Sequence, residues 1–244
     1  MKKTLILVTS LALVGAGAYG QGTIVWSDTP SAAVTIQIYA PQTATPTVET
    51  TGNSATDTPP GTTVYTGVPI GGGTTGSGPT GWGNANNYTA QLFALGSLTT
   101  QTSPATFSSL SPVTQYTSTF YTKSAGAGWF LPAAPSPDAG IPGTGTSPTS
   151  IPAAASATLS VAAWYNAGGT ITSLAAAQSA LVPYGWSAPW VETALGGSGS
   201  PPVTPPGLTG FTSFSLVSPS VVPEPCTMVL GLLGAAGFLL RRRK

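Results

Sequence analysis

The clearest structural signal lies in residues 157–165, Ala-Thr-Leu-Ser-Val-Ala-Ala-Trp-Tyr. Apolar side chains stand at every second position of this run, with Thr158, Ser160 and Trp164 between them. Because the side chains of a strand point alternately to its two faces, this spacing predicts a β-strand with one face in the core. The Thr, Val, Trp and Tyr content also suits a half-buried pleated surface.

The same alternation recurs along the chain. It is clear in residues 34–39, 88–95 and 212–217, and weaker in residues 23–27, 62–66, 113–121 and 184–191. One helix is predicted over residues 174–181, with Ser173 as its N-cap and Pro183 beyond its end. About eight short strands and one helix predict an all-β fold, an antiparallel β-sandwich or a jelly-roll-like domain.

Three stretches between the predicted strands are rich in Thr, Pro and Gly. They cover residues 41–81, 132–152 and 196–207. Such stretches hold too little apolar surface to order strongly by themselves. We therefore expect long surface loops within one domain that spans residues 21–220.

Composition excludes several kinds of function. The 244 residues include no His and one Cys, so a histidine metal site, a Ser-His-Asp triad and a Cys-cluster zinc site are all excluded. Between residues 21 and 220, Lys123 is the only base. Nucleic acid is therefore not expected as a partner, because its phosphates would meet no basic patch.

Carboxylates are the remaining candidates for catalysis in this span. They are Asp28, Glu49, Asp57, Asp138 and Glu192. They lie mostly in loop-like segments and share no motif, and we interpret them as solvated loop residues. No catalytic residue, no metal site and no cofactor is expected, so the chain is not predicted to be an enzyme.

Tryptophan side chains offer the remaining lead for ligand binding. Trp186 and Trp190 frame Ser187-Ala188-Pro189, and Trp129 follows a Gly-rich turn. These three rings are candidates for stacking on sugar rings, with exopolysaccharide as the partner. The alternative is that the rings fill a core that is short of aliphatic side chains.

The N-terminus has the pattern of a secretion signal. Lys2 and Lys3 precede an apolar run, and Ala18-Tyr19-Gly20 places small residues before a cleavage site. Residues 1–20 are therefore predicted to be a signal peptide, cleaved between Gly20 and Gln21. The partners implied are the secretion translocon and signal peptidase.

The C-terminus, residues 221–244, combines three features. Pro223, Glu224 and Pro225 come first, and both prolines forbid a helix across them. An apolar run follows and ends at Leu240. As a helix, the 13 residues from Met228 to Leu240 would be about 20 Å long. A basic end of Arg241, Arg242, Arg243 and Lys244 would act as a stop-transfer signal. The segment predicts a short transmembrane helix that holds the chain at a membrane transiently.

This order of motif, short apolar helix and Arg-rich end resembles the PEP-CTERM sorting signal of Gram-negative bacteria. The resemblance implies recognition of Pro223, Glu224 and Pro225 by an exosortase, which removes the tail. Cys226 departs from the family pattern, in which Ser commonly follows the motif. The middle of the chain is also similar to the exported domain of such proteins, through Gln21-Gly22-Thr23 and residues 88–92, 159–164 and 210–216.

Three functions are compatible with these features. The first is an exported cell-surface or extracellular-matrix protein of structural or adhesive type, in an exopolysaccharide layer or biofilm as the resemblance implies. The second is a carbohydrate-binding surface module that uses exposed Trp residues. The third is a secreted hydrolase. In each case the protein would be exported, anchored transiently by its tail, and then located on the cell surface or outside the cell.

Overall fold

The computed structural model of the protein describes residues 22–28, 34–71, 85–97, 99–122, 126–132, 155–197 and 202–219. The predicted signal peptide with its cleavage site, and the tail with its sorting motif, apolar helix and stop-transfer residues, lie outside these residues. Most of the predicted loop 132–152 also lies outside them. Among the residues described, no helix is long and apolar enough to cross a bilayer.

The described part of the chain is all-β apart from short helices, which confirms the predicted class. Its strands are β1 (Ile38–Tyr39), β2 (Tyr88–Ser97), β3 (Ser111–Thr119), β4 (Ser156–Tyr165), β5 (Tyr184–Trp186), β6 (Trp190–Glu192) and β7 (Phe214–Ser215). The helix α1 covers Leu174–Ser179, and 3-10 turns cover Ala85–Asn87, Phe107–Ser109 and Ala167–Gly169. β1 and β7 form a separate parallel pair.

The main sheet is built around β4, the segment with the strongest alternation. β2 pairs antiparallel with β4 over ten residues, from Tyr88 opposite Tyr165 to Ser97 opposite Ser156. β3 lies beyond β2, and both β5 and β6 pair with the other edge of β4. Every residue of β4 before Tyr165 is buried, so both faces of this central strand are covered.

The larger core lies on the face that the alternation predicts. β4 contributes Leu159, Val161 and Ala163, and β2 contributes Tyr88 and Leu92. Segments far along the chain cover this face with the aromatic and aliphatic side chains of Trp26, Ile36, Ile38, Phe120, Phe130, Phe211 and Phe214. Trp26 stacks on Phe130 at a centroid distance of 4.2 Å. Aromatic rings thus supply burial that the sparse aliphatic residues do not.

The opposite face of the sheet carries a second, smaller apolar cluster. Phe93 of β2 and Trp164 of β4 point to this face and pack with Leu110, Leu174 and Ala177. The Trp164 indole donates a hydrogen bond to the Ile171 carbonyl, 3.1 Å away, which ties the start of the α1 region to the sheet. This cluster lies on the face of β4 that carries Thr158, Ser160 and Trp164, and so this face is buried as well.

Helix α1 begins where the sequence predicts. The Ser173 hydroxyl accepts a hydrogen bond from the Ala176 amide at 3.2 Å, as an N-cap residue does. The helix ends at Ser179, two residues before the predicted end, and Leu181 adopts a positive φ of 54°. Leu174 and Ala177 are buried against the sheet, whereas Ala175 and Gln178 are exposed.

Several predicted strands are shorter than their patterns suggest. Residues 62–66 form no strand: the Thr63 amide donates to the Asn53 carbonyl at 3.0 Å, and the Thr66 amide donates to the Gln42 side-chain oxygen at 2.7 Å. Residues 34–39 and 212–217 retain two-residue strands, and residues 23–27 retain a single bridge from Thr23 to Gly196. Loop backbone and side chains therefore supply hydrogen bonds that regular ladders would otherwise provide.

Strand β3 lies at one edge of the main sheet and is irregular. Gln91 of β2 faces Thr117, whereas the next residue, Leu92, faces Val113. The three residues 114–116 therefore bulge out of the ladder. Pro112 lies within the same strand opposite Phe93 and has no backbone N–H to donate.

The interpretation of the carboxylates as solvated is wrong for three of them. Asp28 is 0 % exposed, Asp57 is 4 % exposed and Glu192 is 8 % exposed. The reason is tertiary packing: each carboxylate accepts a hydrogen bond from an amide or hydroxyl group on a segment elsewhere in the chain. The Thr209 hydroxyl, for example, donates to Glu192 Oε2 at 3.0 Å. Turn-like sequence around an acid therefore did not indicate exposure here.

Asp57 connects three distant segments. Its Oδ2 accepts hydrogen bonds from the Ser213 hydroxyl at 2.7 Å and from the Ser54 amide, and its Oδ1 accepts one from the Gln37 amide at 3.3 Å. These donors belong to the turn before Asp57, the segment that leads into β1 and the segment that leads into β7. The carboxylate thus holds the parallel pair β1–β7 against the turn.

Asp28 is fully buried, and its carboxyl group accepts a hydrogen bond from the Phe130 amide. A substitution of Asp28 tests whether this group is protonated. Both of its carboxyl oxygens lie 3.1–3.2 Å from the Phe130 amide, and burial raises its pKa well above the ordinary value despite that hydrogen bond. A raised folded-state pKa means that stability falls as the pH rises above the unfolded value of about 4.

We therefore expect Asp28→Asn to be at least as stable as the wild type at neutral pH. Because Asn does not titrate, the wild type should gain stability relative to the variant as the pH is lowered. Urea unfolding at neutral and acidic pH measures both. A large loss of stability in Asp28→Asn at neutral pH would show that the ionised carboxylate is required.

Candidate ligand-binding groove

One surface groove lies over the second apolar cluster. Its side chains come from β2, the Phe107–Ser109 turn, the start of β3, α1 and β5. The groove has a volume of about 470 Å³, within the range of small-molecule sites. Its lining residues are Gln91, Phe93, Phe107, Ser108, Leu110, Pro112, Ser173, Leu174, Ala175, Gln178 and Trp186.

Aromatic rings form one side of the groove. The rings of Phe107 and Trp186 stack nearly parallel, with centroids 4.6 Å apart and planes 9° apart. Trp186 also lies beside Tyr184, and Phe107 lies 5.0 Å from Phe93. Phe107 and Trp186 are half-buried, so parts of both rings remain accessible to a ligand.

Polar groups stand on the rim. Gln178 and Ser173 come from the exposed side of α1, and Ser108 comes from the turn after Phe107. Gln91 is fixed in place because its side-chain amide donates to the Thr117 hydroxyl at 2.9 Å. An apolar pocket with a few positioned amides and hydroxyls is the usual composition of a ligand site.

Trp186 is positioned from behind by Glu49. The Trp186 amide donates to Glu49 Oε1 at 2.8 Å, on the edge of β5 that does not face β4. A Cβ atom at Gly185 would lie 3.0 Å from the Ser215 carbonyl oxygen and 3.1 Å from Glu49 Oε1, so this close approach suits glycine. Burial raises the pKa of the Glu49 carboxyl to about 7, although the Trp186 hydrogen bond opposes the shift.

Substituting Glu49 should alter the pH dependence of stability. The pKa of Glu49 is higher in the folded than in the unfolded protein. The contribution of Glu49 to the free energy of unfolding is therefore complete below the unfolded pKa and is lost as the pH rises from about 4.5 to about 7. Allowing for partial exposure of the carboxyl, this loss is on the order of 2 kcal/mol.

We expect Glu49→Gln to remove that part of the pH dependence while its amide oxygen still accepts from Trp186. Urea unfolding of both proteins between pH 5 and 8 gives the comparison, and Asp28 cancels because both proteins retain it. Parallel pH profiles for the wild type and Glu49→Gln would contradict the assignment to Glu49.

The structure separates the three tryptophans that were predicted to stack on sugars. Trp186 lines the groove. Trp190 is only 8 % exposed and packs against Phe211 in the larger core, so it is not an exposed ring. Trp129 is half-buried in the segment 126–132, away from the residues that line the groove.

The separation of Trp186 from Trp190 has a simple cause in the register. Trp186 faces Ala162 of β4 and Trp190 faces Leu159, so four residues on one strand span three on the other. One extra residue reverses the face to which the following side chains point. The Ser187 hydroxyl fills the gap by accepting a hydrogen bond from the Val161 amide at 3.0 Å.

Sequence reasoning missed the other aromatic residues of the groove, Phe107 and Phe93. Phe107 lies outside any alternating run and gave no signal. Phe93 and Trp164 did give one, because both are large apolar residues at positions that the alternation assigned to the face opposite the core. Two such residues on paired strands indicate that this face is also covered.

The groove and its surroundings show no metal-binding group of side chains. Across the described residues, no three acidic or Cys side chains are close enough together to hold a metal ion. Comparison of the chain with protein-family models, with curated proteins and with solved structures gives no match.

Proposed function

We propose that this chain is an exported cell-surface or extracellular-matrix protein of structural or adhesive type, and that it is not an enzyme. The role of the carboxylates supports the second part. Asp28, Glu49, Asp57 and Glu192 each accept hydrogen bonds that join separate segments of the fold. Groups committed to such contacts are poorly placed to exchange protons with a substrate.

The observation that carries the adhesive role is the groove with its accessible Phe107–Trp186 stack. Phe107 and Trp186 each leave part of a ring accessible in the groove, and burial of that apolar surface against a partner would contribute to binding. We propose that the groove makes the adhesive contact, and that its partner is a polymer of the extracellular layer.

Retention of the purified full chain on extracellular material from the producing cells tests this proposal. Phe107→Ala should lower the affinity about tenfold, as loss of one ring contact does. Val64→Ala, at a valine that is 80 % exposed and outside the groove, should change nothing. Equal retention of Phe107→Ala and wild type would remove the adhesive role from the groove.

Export and sorting are proposed from the two ends of the chain. We propose signal peptidase cleavage before Gln21 and exosortase processing at Pro223, Glu224 and Pro225. Mass spectrometry of the protein recovered from its producing cells should find neither Lys2 nor Arg241. A mature chain that still carries residues 241–244 would contradict the processing.

For the fold, we propose the sandwich that the sequence favours. The β1–β7 pair and the segments 22–28 and 208–216 would form its second layer, packed on the inner face of the main sheet. The shared apolar cluster of these segments supports this arrangement. An experimentally determined structure that places these segments elsewhere would contradict it.

A further inference from the structure

We infer that the groove binds an uncharged polysaccharide, which it holds by the exposed parts of Phe107 and Trp186 and by the side-chain amide of Gln178. This inference rests on the proposed adhesive function and adds the chemical class of the partner.

The first argument is electrostatic. None of the residues that line the groove is charged. Glu49 lies behind β5 with its carboxyl directed at the Trp186 amide and is not part of the lining. A charged polymer would lose its hydration in this groove without gaining an opposite charge.

The second argument is the match between the groove and a sugar. A sugar ring presents apolar C–H faces and hydroxyl groups around its edge. The partly exposed rings of Phe107 and Trp186 that line the groove offer apolar surface to the former. Gln178 is exposed on α1, and its amide has no partner among the described residues, so it can both donate to and accept from a hydroxyl group.

The third argument is the shape of the site. Ser108, Pro112, Ser173, Ala175 and Gln178 are exposed, so the groove is open at the surface along α1 and the start of β3. An open groove of about 470 Å³ accepts a short segment of a chain whose remainder continues into solvent. A small free metabolite would instead be enclosed on most sides.

Affinity electrophoresis of the full chain in mild detergent tests the inference. The gels contain hydroxyethylcellulose or dextran as neutral polymers, or alginate as an anionic one. We expect retardation by at least one neutral polymer, with little dependence on salt because no ion pair is involved. Gln178→Ala should weaken that retardation about fivefold, as loss of one hydrogen bond does.

The variant Gln178→Ala should fold normally, because Ala is favoured on an exposed helix surface. Gln115→Ala is the matched control, since Gln115 is an exposed glutamine of β3 outside the groove. Equal retardation of Gln178→Ala and wild type would overturn the inference.

Two further outcomes separate the inference from the proposed function. Retardation by alginate alone, lost at high salt, would overturn the neutral class and leave adhesion in place. Retention on extracellular material without retardation in any neutral gel would do the same, whereas failure of both assays would overturn both proposals.

Discussion

Trp164→Ala should lower the free energy of unfolding by about 4 kcal/mol, because it removes the largest side chain of the second apolar cluster. Trp164 is fully buried and is packed with Phe93, Leu110, Leu174 and Ala177. The substitution also leaves the Ile171 carbonyl without its indole donor. Domains of ordinary stability have about 5–15 kcal/mol in total, so the variant should unfold at a much lower urea concentration.

Trp164→Phe is the matched control. It retains most of the ring packing and loses the hydrogen bond to Ile171, so a loss of about 1–2 kcal/mol is expected. Urea unfolding followed by far-ultraviolet circular dichroism measures both variants. If Trp164→Ala cost no more than Trp164→Phe, the indole could not be the centre of the cluster that supports α1 and the groove.

Asp57→Ala should cost about 3 kcal/mol, because it leaves two buried donors without an acceptor at once. The Ser213 hydroxyl and the Ser54 amide lose their bonds to Oδ2. The Gln37 amide loses its bond to Oδ1 and keeps the one to the Ser213 hydroxyl oxygen. Ser213 and Ser54 are buried, so water cannot readily replace the carboxylate. We expect the β1–β7 pair to loosen first.

Asp57→Asn separates charge from shape. Its one remaining oxygen can accept hydrogen bonds, but its amide group would face donors, so an intermediate loss is expected. Hydrogen exchange of the Ser215 and Leu216 amides would report the loosening, since the Leu216 amide donates to the Tyr39 carbonyl of β1 and the Ser215 amide donates to the Thr50 carbonyl beside the pair. Unchanged stability of Asp57→Ala would show that these contacts do not hold the three segments together.

The sequence predicts the elements whose pattern is local. Alternate residues of β2 and β4 face the larger core, and the Ser173 cap defines the start of α1, so these elements could be read from neighbouring residues. The alternation in residues 34–39 and 212–217 predicts strands that include β1 and β7 but not their pairing, because Ile38 pairs with Phe214 across most of the chain. β1 and β7 are only two residues long. Hydrogen bonds to side chains such as Asp57 hold the two segments together where a longer strand pair would use backbone hydrogen bonds.

The candidate site was predictable only in part, for a similar reason. Trp186 was identified from its type and surroundings, but one extra residue between β5 and β6 decides that Trp190 faces the core. Phe107 lies in the 3-10 turn between β2 and β3, and the path of that connection places its ring against Trp186. Such contacts depend on register and tertiary packing, which the spacing of residues along the chain does not encode.

The irregular edge of β3 bears on how copies of the domain behave when they are crowded. A regular edge strand is a template on which another chain can pair, and extended aggregates begin in this way. The bulge at residues 114–116 and the missing amide of Pro112 interrupt that template. A second chain would therefore pair less readily with this edge than with a regular strand, because fewer consecutive backbone groups are available to it.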